Sequence, residues 1–378
     1  MGSGAFLVEV CRQLGDELIR CWYAHPDAAP SPIGGGAHGL IPPDEDEVLY
    51  ARRLVAQRCL YGVDKNVMAV DLAKLSLWLV TLARDHAFTF LDHSLRHGDS
   101  LVGLTREQII GFHWDRKKFK TLLNEPLQKR LDRATEARAK ILNAREDVPY
   151  KDQEQRLSVA DEALDLIRVL GDACVSCFFA ESKKKAREEE ADRVYGLASS
   201  YLGSITSPKR KRVDLTEDQV DSSDGQSESQ GIDFASRTGL QEAAKRLRDS
   251  SQEHPVPAFH WEIEFPEVFS RENGGFDAFV GNPPFLGGTR ISMRITKSYM
   301  DFISDAFDGC GNRTDLVAYF FRGAFQNLGK RGTLGLIATQ TISQGDTRGG
   351  SLTAIRQQGG TIYSARRRVE WPGERRLS

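Results

Sequence analysis

The apolar run Phe276-Asp277-Ala278-Phe279-Val280-Gly281 ends at Asn282-Pro283-Pro284-Phe285, and this junction constrains the chain more than any other feature. The run reads as a β-strand. Two successive prolines remove two backbone donors and fix φ, so the strand stops there and a stiff turn begins. Its last polar side chain, Asn282, is then left at the carboxyl edge of a sheet, where open α/β sheets bind their ligands. An Asn amide, a free proline carbonyl and an aromatic face converge on one small volume. Such a site suits a planar amine: two acceptors for its N–H groups and a ring to stack on.

The 378 residues allow one large domain with insertions, or two domains. The net charge of −2 conceals basic clusters at Arg116-Lys117-Lys118, Lys183-Lys184-Lys185 and Arg366-Arg367-Arg368. A polyanion-binding protein need be basic only along one groove, so near-neutrality leaves nucleic acid open as a partner. No apolar run reaches the roughly 18–20 residues needed to span a bilayer, and no signal peptide opens the chain. Six scattered cysteines in a chain of this length read as reduced thiols of a cytoplasmic protein.

Helical spacing of apolar residues predicts helices over Ala5–Tyr23, Val67–Arg84 and Asp315–Leu328. Short strands are predicted at Cys59–Asp64, at Leu95–Leu101 and, as a buried strand, at Gly332–Ala338. Residues 24–45, with Gly34-Gly35-Gly36, read as a loop. Four segments follow: a first core half over 1–114, a charged helical insertion over 115–203, a linker expected to be disordered over 204–232, and a second core half over 233–378. The insertion is expected to pack on the core; its heptads are too short for a coiled coil. The linker holds Pro208-Lys209-Arg210-Lys211-Arg212 and reads as solvated loop, with a short helix resuming around Leu240–Leu247.

Candidate chemistry lies at the strand ends. Gly2-Ser3-Gly4 opens a helix and offers N–H groups to an anionic group. Asp64 at a strand end either accepts from a ribose diol or caps the next helix. Asp99 either accepts from an adenine amino group or caps a turn. Cys174-Val175-Ser176-Cys177 has metal-ligand spacing but no second pair, and reads as a buried helix face beside Phe178 and Phe179. Glu181-Ser182-Lys183 imitates half of a nuclease site, with no partner nearby.

The conjunction is more specific than its parts. Gly2 through Leu7, Tyr61-Gly62-Val63-Asp64, His97-Gly98-Asp99-Ser100-Leu101 and Phe276 through Phe285 occur in one order on successive strands. Together they resemble the adenine-specific DNA methyltransferases of restriction–modification and related phage-defence systems. His260–Phe269, Asp315–Phe320 and Trp371-Pro372-Gly373-Glu374 are similar to the large members of that family, of type IIG character. The resemblance implies an α/β fold class: a Rossmann-like S-adenosylmethionine-dependent methyltransferase sheet with a long helical insertion. It implies that Gly2, Ser3 and Gly4 hold the methionine end of S-adenosylmethionine, Asp64 its ribose and Asp99 its adenine. The implied substrate is an adenine flipped from double-stranded DNA. Phe285 would stack on it, while Asn282 and the Pro283 carbonyl accept its N6 protons and Pro284 stiffens the turn. Restriction or defence-system subunits are the implied partners, and no membrane is.

The chemistry stands apart from the family name. An amino nitrogen conjugated to a ring is a poor nucleophile until two acceptors draw it toward tetrahedral geometry, and positioning then supplies most of the acceleration. Carbon methylation of cytosine calls for a nucleophilic cysteine beside a proline, and the chain holds no Pro-Cys. N4-cytosine and protein-glutamine methylation use similar proline turns and stay open. Such a family has a strand and turn before Gly-Ser-Gly and a target-recognition domain after the core. The expectation is therefore a fragment of a larger enzyme, with a non-catalytic DNA- or subunit-binding remnant as the alternative.

Overall fold

The computed structural model describes residues 1–26, 46–82, 89–122, 124–145, 148–206, 224–249, 255–285, 296–311 and 313–369, the side chains of 224–233 excepted. Most of the 24–45 loop, the basic pentad 208–212, the stretch 286–295 and the motif at 371–374 lie outside these residues.

Helix α1 (Ala5–Ala24) starts at Gly4, whose φ of 82° places it in the left-handed region. A Cβ there would sit 2.9 Å from the Ala73 Cα, so only glycine lets α1 approach α3 (Val67–Thr81) this closely. Helix α2 (Glu47–Arg58) starts at the cap Asp46, which accepts from the Val48 N–H. It leads into strand β1 (Gly62–Asp64), which pairs in parallel with β2 (Leu95–His97) after the α3 crossover. Cys11, Val55, Ala73, Leu77 and Leu95 form the small core between these elements. Asn66, not Asp64, is the N-cap of α3: its side chain accepts from Met68 N–H. The outer face of α3 is apolar and uncovered among the described residues, with Met68 and Leu79 each 68% exposed.

Helix α4 (Arg106–Ile110) is fixed by a capping box between Thr105 and Gln108. Helices α5 (Asn124–Leu142), α6 (Tyr150–Ala180) and α7 (Lys184–Thr206) follow across the span read as a helical insertion, and α8 (Asp224–Arg248) starts within the span read as a linker and runs into the second half. Their apolar stripes, with Leu127, Leu164, Val194 and Leu240, share one core with Phe302 and Leu316 of the second half. The four helices pack on the core, as the stripes predict. Every residue of α6 from Leu170 to Phe178 is buried, so its end is surrounded on all sides. Cys174 and Cys177 are buried there, and burial pushes the Cys177 thiol up to about 12. Helix α8 begins well ahead of the short helix read around Leu240–Leu247.

Two single turns, α9 (Trp261–Glu264) and α10 (Pro266–Phe269), lead into β3 (Phe276–Gly281). Helices α11 (Lys297–Ala306) and α12 (Leu316–Gln326) follow, and then β4 (Leu328–Leu336), which pairs in parallel with β3. The described strands thus form two separate two-stranded parallel sheets within a mostly helical protein. An aromatic cluster of Phe259, Phe265, Phe276, Tyr61 and Trp261 lies between them. The Gly332–Ala338 strand read as buried is only half-buried: Leu334 and Leu336 pack on Val317 and Phe321 of α12, while alternate residues face outward.

Candidate active site

The first cluster forms where α1 begins and β1 ends. Gly2, at φ 59°, donates its N–H to Asp64 Oδ2 at 2.8 Å, and the Met1 amino group lies 3.0 Å from the same oxygen. Asp64 Oδ1 accepts from the Asn66 N–H at 2.9 Å. Burial pushes the Asp64 carboxyl up, but the Asn66 and Gly2 N–H groups and the amino terminus hold it below the usual carboxylate range. A carboxylate offers about four lone-pair positions, so one or so stays open to a ligand hydroxyl. The Ser3 carbonyl accepts from Ser76 Oγ at 2.8 Å, which ties the Gly-Ser-Gly turn to α3. No atom lies within 4 Å of where a Gly2 Cβ would stand, so a ligand can approach the backbone there.

Asp99 is joined to this cluster through its neighbour Lys65. Lys65 Nζ lies 3.1 Å from Asp99 Oδ2, and Gly98 N–H donates to the Asp64 carbonyl at 2.9 Å. Asp99 Oδ1 accepts from Leu101 N–H at 3.1 Å, the turn-capping bond anticipated for it. The same oxygen accepts from the Tyr299 hydroxyl at 3.0 Å. Burial first, and then the Asp99 charge, push the Tyr299 phenol well above its usual range, so it stays protonated and donates. Lys65 also stands 5.1 Å over the Tyr299 ring. Its side chain is 53% exposed, so it can swing away and free Asp99 Oδ2 for a ligand amine.

The second cluster is the proline turn. Gly281, the last residue of β3, accepts from Ile337 N–H at 3.0 Å, so β4 holds the strand up to the residue before Asn282. Pro283 is buried, whereas Asn282 and Pro284 are exposed and Phe285 is 42% exposed. The Asn282 side chain makes no hydrogen bond among the described residues, which leaves its carbonyl oxygen free to accept. The rings of Tyr61, ahead of β1, and Phe276, opening β3, lie 5.5 Å apart, and Val63 and Phe279 join the same aromatic cluster. The aromatic cluster thus packs residues of β1 and β3 together, although the two strands belong to separate sheets. Tyr299, from α11, bonds Asp99 and so belongs to the first cluster.

No hydrogen bond runs directly from Asn282, Pro284 or Phe285 to Gly2, Ser3, Gly4 or Asp64 among the described residues. Sequence reasoning missed Lys65 and Tyr299. Lys65 follows a strand-end acid and was within reach of it; Tyr299 carries no local signal, because its partner is 200 residues away in sequence.

Residues 58–358 match the Eco57I restriction-modification methylase family, a span holding Asp64, Asp99 and the whole proline turn. The chain belongs to that family. The chain is also 24% identical over 302 residues to a predicted type II restriction enzyme and methyltransferase of Methanocaldococcus jannaschii. That match covers 75% of the chain and 21% of the relative, so the chain spans about a fifth of the relative's length. No solved structure matches it. None of its described helices is long and apolar enough to cross a membrane.

Proposed function

We propose that this methylase transfers a methyl group from S-adenosylmethionine to N6 of an adenine flipped out of double-stranded DNA, within a restriction–modification or defence system. On this reading the two parallel strand pairs are parts of one Rossmann-like arrangement whose carboxyl edge carries both clusters. The observation that supports the reading is the Asn282 side chain, without a hydrogen bond among the described residues, on a proline turn at the end of β3, in a chain whose strand-end acids Asp64 and Asp99 are joined through Lys65 and the Gly98 N–H. S-adenosylmethionine supplies an electrophilic methyl when bound.

The chain's own residues do the rest. Gly2, Ser3 and Gly4 present open backbone to the amino-acid end of the cofactor. Asp64 takes a ribose hydroxyl, and Asp99 takes the adenine amine once Lys65 moves aside. Asn282 Oδ1 and the Pro283 carbonyl accept the two N6 protons of the target base, freeing its lone pair. Phe285, exposed and next to the turn, stacks on the flipped ring; stacking of this kind is worth about 1–3 kcal/mol.

The test is incubation of the full chain with labelled S-adenosylmethionine and duplex DNA, then digestion to nucleosides. Label in N6-methyladenine is expected. Label in N4-methylcytosine, in protein glutamine, or nowhere would overturn the reading. Asn282→Ala should spare cofactor binding in calorimetry and lower turnover at least about a hundredfold, the scale of one lost preorganised acceptor or donor. Asp64→Ala should instead weaken cofactor binding. Equal loss of binding in both variants contradicts the division of roles.

A further inference from the structure

The segment that follows β4 is charged unlike the rest of the molecule. Between Ile337 and Val369 it carries five basic residues and one acid, Asp346. Three of its arginines, Arg348, Arg356 and Arg367, line one groove of about 690 Å³. Leu352 and Ile362 contribute the apolar part of the lining, and Ser343 and Gln357 add neutral hydrogen-bonding groups. No carboxylate lines it among the described residues. None of the three arginines pairs with an acid among the described residues, whereas the helical insertion pairs Arg187 with Asp301, Arg246 with Glu190 and Arg248 with Asp172. Three guanidinium groups around one groove repel one another, and only an anion with several charges relieves all three.

The groove also has a fixed relation to the proline turn. Ile337 is hydrogen-bonded to Gly281, the residue before Asn282, and Ser343 of the groove lies six residues further along the chain. Six residues span at most about 20 Å, and the two intervening turns shorten that. A DNA duplex carries one phosphate per roughly 1.7 Å of its axis, so about ten phosphates fall within that reach. Arg348 and Arg356 lie eight residues apart on one continuous helical run, roughly 12 Å along its axis, a span of several phosphates. A duplex that delivers a base to Asn282 must place its backbone nearby.

We infer that the Arg348–Arg356–Arg367 groove is a phosphate-binding track for the backbone of double-stranded DNA, which clamps the duplex beside the proline turn. The inference rests on the proposed methyl transfer for the position of the base, but not for the groove's affinity. Planar guanidinium groups take phosphate oxygens in pairs, which fixes the register of the duplex without reading its sequence.

The experiment is fluorescence anisotropy of a labelled 30-bp DNA duplex titrated with the full chain across a salt series. The variant R348Q/R356Q/R367Q is compared with wild type and with K129Q/K140Q, a control that removes exposed charge from the helical insertion. The groove variant should lose about 2.7 from the slope of log affinity against log salt, about 0.9 per phosphate contact. Its DNA affinity should fall at least about tenfold. The control should keep both. Unchanged slope and affinity in a variant whose circular dichroism and melting match wild type overturn the inference, as does equal loss in the control. Tighter binding of duplex RNA than of DNA overturns it as well. If the triple variant fails to fold, R356Q alone should still lose about 0.9 of slope, and no loss there counts against the track. Groove-dependent DNA binding with no N6-methyladenine formed would keep the track and sink the catalytic reading. N6-methyladenine formed with a groove-independent salt slope would do the reverse.

Discussion

The helical insertion and the segment after β4 use the same residue types in opposite ways. In the insertion, Lys118 pairs with Glu188, Lys120 with Asp192 and Arg248 with Asp172, and α6 ends wrapped by neighbours on every side. After β4, the groove arginines have no such acids among the described residues, and the β strands beside them are half-exposed, with Val280 49% accessible. Charge in the first region is consumed in holding helices to one another and to the core. In the second it is left over, in a molecule whose Asn282 amide also has no hydrogen bond among the described residues. The difference separates the part of the molecule that supports itself from the part shaped for something it does not contain.

The comparison can be broken first at its strongest point. Arg138 of α5 is fully buried and grips Glu267 through Nε at 2.5 Å and Nη2 at 2.7 Å, while Nη2 also donates to the His93 carbonyl at 2.7 Å. Tyr61, at the entry to β1, donates to Glu267 at 3.0 Å. The insertion is thus locked to both core halves through one ion pair. Glu267→Gln leaves a buried guanidinium without its counter-charge and should lower stability by about 3–5 kcal/mol in urea titration. A wild-type midpoint would mean that the insertion is a passenger.

A second buried junction answers to pH. Glu264 accepts from Arg168 and Arg96, and Asp161 completes the network. Burial raises its carboxyl, but the two arginines outweigh it and hold the value at about 2 against the ordinary 4.5. The folded value is the depressed one, so this contribution is complete above pH 4.5 and is lost as pH falls from 4.5 toward 2. The loss should be on the order of 3 kcal/mol. Glu264→Gln should flatten stability against pH in that window, and an unchanged slope would remove the junction from the account. Gly4→Ala comes next. The left-handed backbone and the 2.9 Å approach to the Ala73 Cα should cost about 2 kcal/mol and loosen the Gly-Ser-Gly turn. Retained stability and retained cofactor affinity would show that the turn does not depend on that contact.

Local features were legible in the sequence. The helix read at Ala5–Tyr23 is found at Ala5–Ala24, and the strand ending in Asp64 ends there, because helical period and turn chemistry are properties of neighbouring residues. The helix read at Val67–Arg84 is described to Thr81. Its period, though, did not say that Met68 and Leu79 would face outward, since an apolar residue records no neighbour. The proline turn was legible as a strand stop. Tyr299 on Asp99, and Glu267 on Arg138 across 129 positions, were not, because such pairs exist only once the chain has folded. The single sheet expected from strand order is represented by two parallel pairs. The three groove arginines were equally hidden: Arg366-Arg367-Arg368 stood out as a cluster, but its convergence with Arg348 and Arg356 is tertiary.

The smallest effect distinguishes the two uses of charge most directly. Lys129 of α5 pairs with Glu125 one turn away, at 2.6 Å, with both side chains mostly in solvent. Water screens that pair and the side chains lose freedom to form it, so Lys129→Gln should leave the urea midpoint where it was. Arg356 is equally exposed but has like-charged neighbours around its groove and, among the described residues, no acid. Removing its charge relieves repulsion in the free protein, so Arg356→Gln should hold or raise the free protein's stability, within about 0.5 kcal/mol. The same substitution should reduce the extra stability gained when duplex DNA is added, because binding to the native state stabilises by mass action. A residue whose loss is neutral or favourable alone and unfavourable with DNA is placed for the complex rather than for the fold. If Arg356→Gln instead destabilises the free protein as Glu267→Gln does, the groove is a structural element and the two regions use charge in the same way.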